Sequence, residues 1–257
     1  MYILLAVLGL IIGSFLNVCI YRIPSQESIV FPSSHCPHCD NHIKWYDNIP
    51  VVSYLILLGS CRYCAKKISL RYPFVEILTA ALFILMGYKF GLSFPLVPYC
   101  LFVASLIVVS FIDYDYKIIP NVITLPGMIV GLLLSIVPQM PVTFISSLIG
   151  LTSSWVLFKI IAIASLKILK KEGMGGGDVK LIAMIGAFVG WEKALLTIFC
   201  ASLLGSVWGT GLILVFLALK KKRSEIIPFG PFLCIGALIS LIYGDGIISW
   251  YCAPFRL

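Results

Sequence analysis

Apolar runs long enough to cross a lipid bilayer recur along this chain, and they constrain its fold more than any other feature. They fall at about 2–22, 73–91, 95–113, 119–137, 142–166, 178–196, 197–219 and 226–243. A hydrocarbon core of roughly 30 Å takes about 20 helical residues to span. Inside it, every backbone polar group must be satisfied by the segment itself or by a closed barrel. The expected fold is therefore an all-α polytopic membrane protein with about eight transmembrane helices. The composition agrees, being 60% hydrophobic and 12% charged, as does a mean hydropathy of +1.06, well beyond an ordinary soluble domain. The first run has no basic residue ahead of it and no small-x-small site before Arg22. It reads as a retained helix, not a cleaved signal.

Basic residues gather in alternate connections. Six Lys or Arg lie from Arg22 to Arg71, Lys117 lies in 113–120, four lie in 167–180, and "KKKR" occupies 220–223. The remaining loops and the tail hold Lys89, Lys193 and Arg256, and Lys159 sits within an apolar run. By the positive-inside rule the basic loops face the cytoplasm, so both termini are expected outside. The net charge of +8 is then accounted for by topology, and no nucleic-acid partner is implied.

The sizeable polar segment lies between the first two runs, dividing the chain into a first helix (1–23), a cytoplasmic loop domain (24–72) and a helical core (73–257). The loop domain carries two CxxC pairs, Cys36/Cys39 and Cys61/Cys64, separated by 21 residues. Two such knuckles supply four thiolates for a tetrahedral structural zinc site. Disulfides are the competing reading, but lasting disulfides are rare in the reducing cytoplasm. Four cysteines fill a closed site, which leaves His35, His38 and His42 as solvent-facing neighbours. Such a loop has little core, so the metal would supply much of its folding free energy. Gly59, just ahead of the second pair, fits a tight turn. Cys19, Cys100, Cys200, Cys234 and Cys252 fall in or beside apolar runs and act as small hydrophobes.

Acids near the membrane are costly and are functional candidates by default. Glu192 and Asp245 fall at outward boundaries, where hydration is cheap, and receive no role. In "LIVVSFIDYDYKIIPN", Asp113 ends an apolar run and Asp115 follows two residues later. At about 100° per residue these two point to nearly opposite sides of a helix, so Asp113 is the intramembrane candidate and Asp115 a solvated boundary charge. Asp178 follows Gly175, Gly176 and Gly177 in "GMGGGDVK" and opens the next apolar run. An acid there is a good N-cap, but capping does not explain three glycines with another at 173. The phosphate-binding pattern GxxxxGK[ST] is absent.

Asp113 and Asp178 are both expected at cytoplasmic helix ends, where they could meet. Two carboxylates in a poorly hydrated site share one proton and titrate as a unit. The ionised member can activate water while the protonated one polarises a carbonyl. The glycines would admit an extended peptide to Asp178 and let the site close around it.

Taken together, "GSFLNVCIYRIP" (13–24), the two knuckles, "ISLRYPFVEILTA" (68–80), "FIDYDYKIIPN" (111–121), "GMGGGDVKLIAMIGAFVGW" (173–191) and "IPFGP" (227–231) resemble the bifunctional type IV prepilin peptidases, membrane aspartic proteases of the GxGD kind. The resemblance runs nearly the whole chain. It implies residence in the bacterial cytoplasmic (inner) membrane and cleavage of a short basic leader from prepilins or pseudopilins on the cytoplasmic side, usually after Gly. It also implies methylation of the new N-terminal amine from S-adenosylmethionine. Pilus, type II secretion and competence systems are the settings in which such substrates occur. On this resemblance the catalytic acids are Asp113 and Asp178, and the metal ligands are Cys36, Cys39, Cys61 and Cys64. One departure is Pro120-Asn121, where the family often has Pro-Asp; an amide can hydrogen-bond but brings no charge.

For methyl transfer, Glu76 and Arg71 admit two readings. Glu76 orients or deprotonates the substrate amine and Arg71 holds the cofactor carboxylate, or Glu76 caps a first turn and Arg71 anchors a helix end. Asn17 lies on the first run within the matched motif. No Rossmann fingerprint is present. Competing functions are a GxGD intramembrane protease without methyltransferase activity and, in another class, a transporter or assembly scaffold whose acids carry ions. Gly9 and Gly13 form a GxxxG that suits either dimerisation or packing within one bundle.

Overall fold

The computed structural model describes residues 1–170, 174–218 and 228–253. Gly173, Lys171, the "KKKR" of 220–223, Ile227 and Arg256 lie outside the described residues. The long elements are helices: α1 (Tyr2–Arg22), α3 (Arg71–Phe90), α4 (Leu96–Tyr116), α5 (Asn121–Leu134), α6 (Phe144–Leu169), α7 (Gly176–Ala218) and α8 (Gly230–Cys252), with the short α2 (Val52–Ile56) in the polar segment. Six of them are long and apolar enough to cross a membrane among the described residues. Helix α5 has 14 residues, about 21 Å at 1.5 Å per residue, because Pro120 precedes it and its chain turns at Ser135. The expected division at 196/197 falls instead at Gly190, where φ 80° and ψ 174° break α7. Only glycine adopts that φ and ψ readily, and an added Cβ would also sit 2.5 Å from Ser146 Oγ. Large apolar side chains remain exposed along the helices, among them Ile11, Ile129, Ile145 and Leu214; a bilayer solvates such surface, and water does not.

The chain forms two compact units, residues 1–108 and the remainder from Val109. In the first, α1 packs on α3 through small residues. An added Cβ at Gly9 would lie 2.5 Å from Ala80 Cα, and at Gly13 2.6 Å from Glu76 Cα. Backbones this close need glycine, which is how helices associate in lipid without a hydrophobic driving force. The GxxxG is thus used within the chain.

The polar segment is built from one backbone motif used twice at an offset of 25 residues. Cys36 N–H donates to Asn41 O, Asp40 N–H to Cys36 O and Ile43 N–H to Ser34 O; Cys61, Ala65 and Ile68 repeat these bonds to Lys66, Cys61 and Gly59. Isolated bridges His35–His42 and Ser60–Lys67 close the two turns. Asp40 and Ala65 take φ of 53° and 56° at equivalent places, and Gly59 takes 67°.

In the second unit, α7 is the central helix. Leu181, Ile182, Ala183 and Ile185 are fully buried, and α5, α6 and α8 all pack on it. Gly150 of α6 and Gly186 of α7 meet so closely that a Cβ on either would lie within 2.5 Å of the other's carbonyl oxygen. The Ser147 hydroxyl donates to Ala187 O at 2.6 Å. Thr197 of α7 and Ser240 of α8 share a buried hydroxyl hydrogen bond of 2.6 Å, a polar contact suited to an apolar surround. Asp245, given no role from sequence, pairs with Lys193 at 2.7 Å.

Candidate functional site

Two groups of chemically able side chains stand out, one in each unit. In the second unit, Asp113 lies in the last turn of α4 and Asp178 in the first turn of α7, and both are buried while Asp115 is exposed. The two carboxylates lie close enough to interact electrostatically, and the buried Cys234 thiol of α8 is within range of both. Asp113 Oδ2 accepts the Gly230 N–H at 2.9 Å. That donor is one of the N–H groups a helix start leaves without an intrahelical partner, and Pro231 follows it at the first turn of α8. A Cβ at Gly230 would lie 2.5 Å from Asp113 Oδ2. Gly230 therefore shapes the site, and its sequence signal was the "FGP" turn before an apolar run. Asp178 N–H donates to Gly175 O at 3.1 Å, and Asp178 Oδ1 is buried with no hydrogen-bond partner among the described residues.

The three loop glycines differ. A Cβ at Gly177 would be 2.8 Å from Ile119 Cβ, one at Gly175 would be 3.2 Å from Asp178 Oδ2, and one at Gly176 would meet nothing within 4 Å. None of the three has positive φ. Glycine is needed for space at 177, where backbone meets side chain, while at 176 the surface is open. Asn121 Oδ1 accepts from Lys180 Nζ at 2.8 Å, so the amide that departs from the family pattern is engaged with a cation.

In the first unit, the Sγ atoms of Cys36, Cys39, Cys61 and Cys64 all lie within 4.8 Å of one another, with Cys36 and Cys64 at 3.9 Å. Tetrahedral zinc with Zn–S bonds of about 2.3 Å places sulfurs about 3.8 Å apart, so the cluster fits that ion. The chemistry of the donors fits too. Backbone N–H groups of Cys64 and Tyr63 aimed at Cys61 bring its pKa down to about 7. Although the Lys66 N–H pulls the Cys64 thiol down, desolvation and the crowding Cys61, Cys39 and Cys36 sulfurs together push it up to about 11. Four adjacent thiolates need a cation among them. His38 and His42 are exposed, His35 is half-buried, and none of the three belongs to the cluster.

Between these knuckles and the facing ends of α1 and α3 lies a cavity of about 400 Å³, within the size range of small-molecule sites. Asn17 and Glu76 line it, Arg22 lines it, and Arg71 does not. Glu76 is buried, and its Oε2 accepts the Val51 N–H at 2.8 Å. Val51 can present its N–H because it turns through φ 60° just before α2. Asn17 Nδ2 donates to Gly13 O at 3.2 Å and to Tyr72 O at 3.1 Å, tying α1 to α3. Arg71 is half-buried at the first residue of α3. A sulfonium cofactor of nucleoside size fits such a cavity, which combines a buried carboxylate, a buried guanidinium and aromatic walls.

Both parts of the chain match known families. The profile of the bacterial peptidase A24 N-terminal domain matches residues 7–90, and that of the type IV leader peptidase family matches residues 100–210. The prepilin leader peptidase/N-methyltransferase of Stutzerimonas stutzeri is 35% identical over 278 residues, covering 98% of this chain and 93% of that protein. The protein of the same description from Legionella pneumophila is 34% identical over 278 residues, covering 98% and 94%. The one from Myxococcus xanthus (strain DK1622) is 42% identical over 205 residues, which span 80% of this chain and 61% of that protein. No solved structure matches the chain. With relatives matched over almost their full length, the chain belongs to the prepilin leader peptidase/N-methyltransferase family.

Proposed function

We propose that this protein cuts the short basic leader from prepilins or pseudopilins at the Asp113–Asp178 pair and then methylates the new N-terminal amine. Both steps take place at the cytoplasmic face of a bacterial inner membrane. The observation that carries cleavage is the convergence of two buried carboxylates from the end of α4 and the start of α7, with the first glycine of α8 donating to one of them. In hydrolysis the ionised carboxylate takes a proton from water as the water oxygen bonds to the scissile carbonyl carbon. The protonated carboxyl donates to the carbonyl oxygen. Collapse breaks the C–N bond, and a proton passes to the leaving amine. The buried, unmatched Oδ1 of Asp178 has a partner once a substrate carbonyl or water is bound. Gly175, where an added Cβ would lie 3.2 Å from Asp178 Oδ2, and the open space at Gly176 admit the extended leader.

Methyl transfer is assigned to the first unit. When bound, S-adenosylmethionine supplies an electrophilic methyl group on sulfur. Glu76, which accepts the Val51 N–H, would take the proton that the substrate amine gives up on methylation, the donor's sulfur–methyl bond breaking and the donor leaving as its thioether. Asn17 keeps α1 and α3 in register beneath the cavity. Zinc at the four cysteines has a structural part, holding the knuckles that wall the cavity. The basic residues of the 22–71 segment support a cytoplasmic position for this wall by the positive-inside rule.

The test is to incubate purified protein in detergent with a synthetic prepilin and labelled S-adenosylmethionine, reading cleavage site and methylation by mass spectrometry. Wild type is expected to do both. Asp113→Asn and Asp178→Asn should each lower cleavage by roughly 10²–10⁴-fold while a pre-cleaved substrate is still methylated. An Asp178→Asn protein that cleaves at the wild-type rate would remove the hydrolytic assignment.

A further inference from the structure

We infer that Arg22 is the anion anchor of the cavity in the first unit, binding the carboxylate of the methyl donor's amino-acid end. The inference rests on the methyl-transfer reading of this cavity. Arg22 is the last residue of α1 and is only 5% exposed, yet it lines the cavity. Its one side-chain hydrogen bond among the described residues runs from Nη1 to Ser28 O at 3.0 Å. A guanidinium has five N–H donors, so most of its donor capacity remains for a ligand. A buried cation without a counter-ion is expensive, and proteins keep such groups where an anion completes them.

The acids nearby do not serve. Asp47, also on the cavity wall, is held by Arg62 through two bonds of 2.8 and 2.6 Å. Glu76 accepts from the Val51 N–H and makes no ion pair with Arg22 among the described residues. The other cations on the wall, Lys66 and Lys67, are exposed, and Arg62 is already matched by Asp47. Arg71, the sequence-based candidate, does not reach the cavity. The methyl donor carries one full negative charge at its amino-acid end, and a planar fork of donors suits a carboxylate better than a point charge does. Within one cavity the guanidinium thus takes the donor's carboxylate, and the Glu76 carboxylate remains for the pilin amine.

Binding can be read apart from catalysis. S-adenosylhomocysteine and its decarboxylated analogue are titrated into the full-length protein in detergent by calorimetry. Wild type should prefer the carboxylate-bearing ligand by about 10- to 100-fold, the span of a charge-assisted pair. Arg22→Gln should erase that preference, weakening S-adenosylhomocysteine by the same factor and the decarboxylated analogue by less than about 3-fold. Arg22→Lys should restore part of the preference. Zinc content checks that the knuckles of each variant are intact. A wild type that does not distinguish the two ligands overturns the inference whatever the variants do, as does an Arg22→Gln protein that loses both ligands equally, which is the signature of a helix-end anchor. A wild type that binds neither ligand sinks the methyl-transfer reading itself, and this inference with it.

Discussion

Single atoms decide which glycines matter. Gly230 and Gly177 leave no room for a methyl group, since their added Cβ atoms would lie 2.5 Å from Asp113 Oδ2 and 2.8 Å from Ile119 Cβ. Gly230→Ala should push the buried Asp113 carboxylate aside, lower cleavage on the order of 10²-fold, the cost of a misplacement near 1 Å, and carry an overpacking cost of about 1–3 kcal/mol as well. Gly177→Ala should lower stability by about 1–3 kcal/mol through overpacking. Gly176→Ala meets nothing within 4 Å, so its fold should be unchanged and any effect should appear in KM for the leader. Steady-state kinetics with melting curves separates the three; a Gly176→Ala protein that melts like Gly177→Ala would contradict the space argument. Asp115→Asn should keep most activity because that side chain is exposed on the opposite side of α4. The double variant Asp113→Asn/Asp178→Asn should lose scarcely more than either single one, since acids working as one unit leave little for the second change to remove.

At the scale of elements, close helix contacts position the chemistry. Gly13 lies against Glu76 Cα, and Asn17, one turn on, bonds Tyr72 O. Gly13→Leu should therefore separate α1 from α3, lower the melting temperature and abolish methylation of a pre-cleaved pilin peptide. Retention of methylation at the wild-type level would show that Glu76 does not depend on this packing. Glu76→Gln keeps shape and removes charge, so cleavage should persist while methylation of the product falls; equal loss of both activities would mark Glu76 as a structural residue. The break at Gly190 belongs to this scale as well. Its φ of 80° with ψ of 174° strains any side chain, and Gly190→Ala should destabilise the α6–α7 pair, readable as faster proteolysis in detergent.

Over the whole molecule, the metal site and the carboxylate pair lie in separate compact units. The knuckles are short turns with few apolar contacts, and a structural zinc site is worth about 10–16 kcal/mol in small knuckle peptides. Cys36→Ser/Cys39→Ser should lose bound zinc, loosen residues 34–68 and abolish methylation, with the membrane helices still inserted. Leader cleavage should survive at reduced rate. Full zinc occupancy in the double variant, measured by elemental analysis, would remove the four-cysteine assignment. Labelling of Cys-reactive sites in this loop from outside intact cells would overturn its cytoplasmic placement.

Much of this was legible in the sequence because it depends on near neighbours. Hydrophobic length identified the apolar helices, CxxC spacing identified the sulfur cluster, and helical period set Asp113 apart from Asp115. These are properties of about one to five turns of chain and survive any tertiary arrangement. The rest is decided by contacts between residues far apart in sequence. Gly230 meets Asp113 across 117 positions, Val51 meets Glu76 across 25, and Arg22 lines the cavity that Arg71 misses. No local pattern separates one basic residue at a helix end from another; which is buried beside a cavity follows from how α1 and α3 pack. In the same way three adjacent glycines look equivalent as letters, and only the packed backbone shows that Gly177 is needed for close approach while Gly176 faces open space.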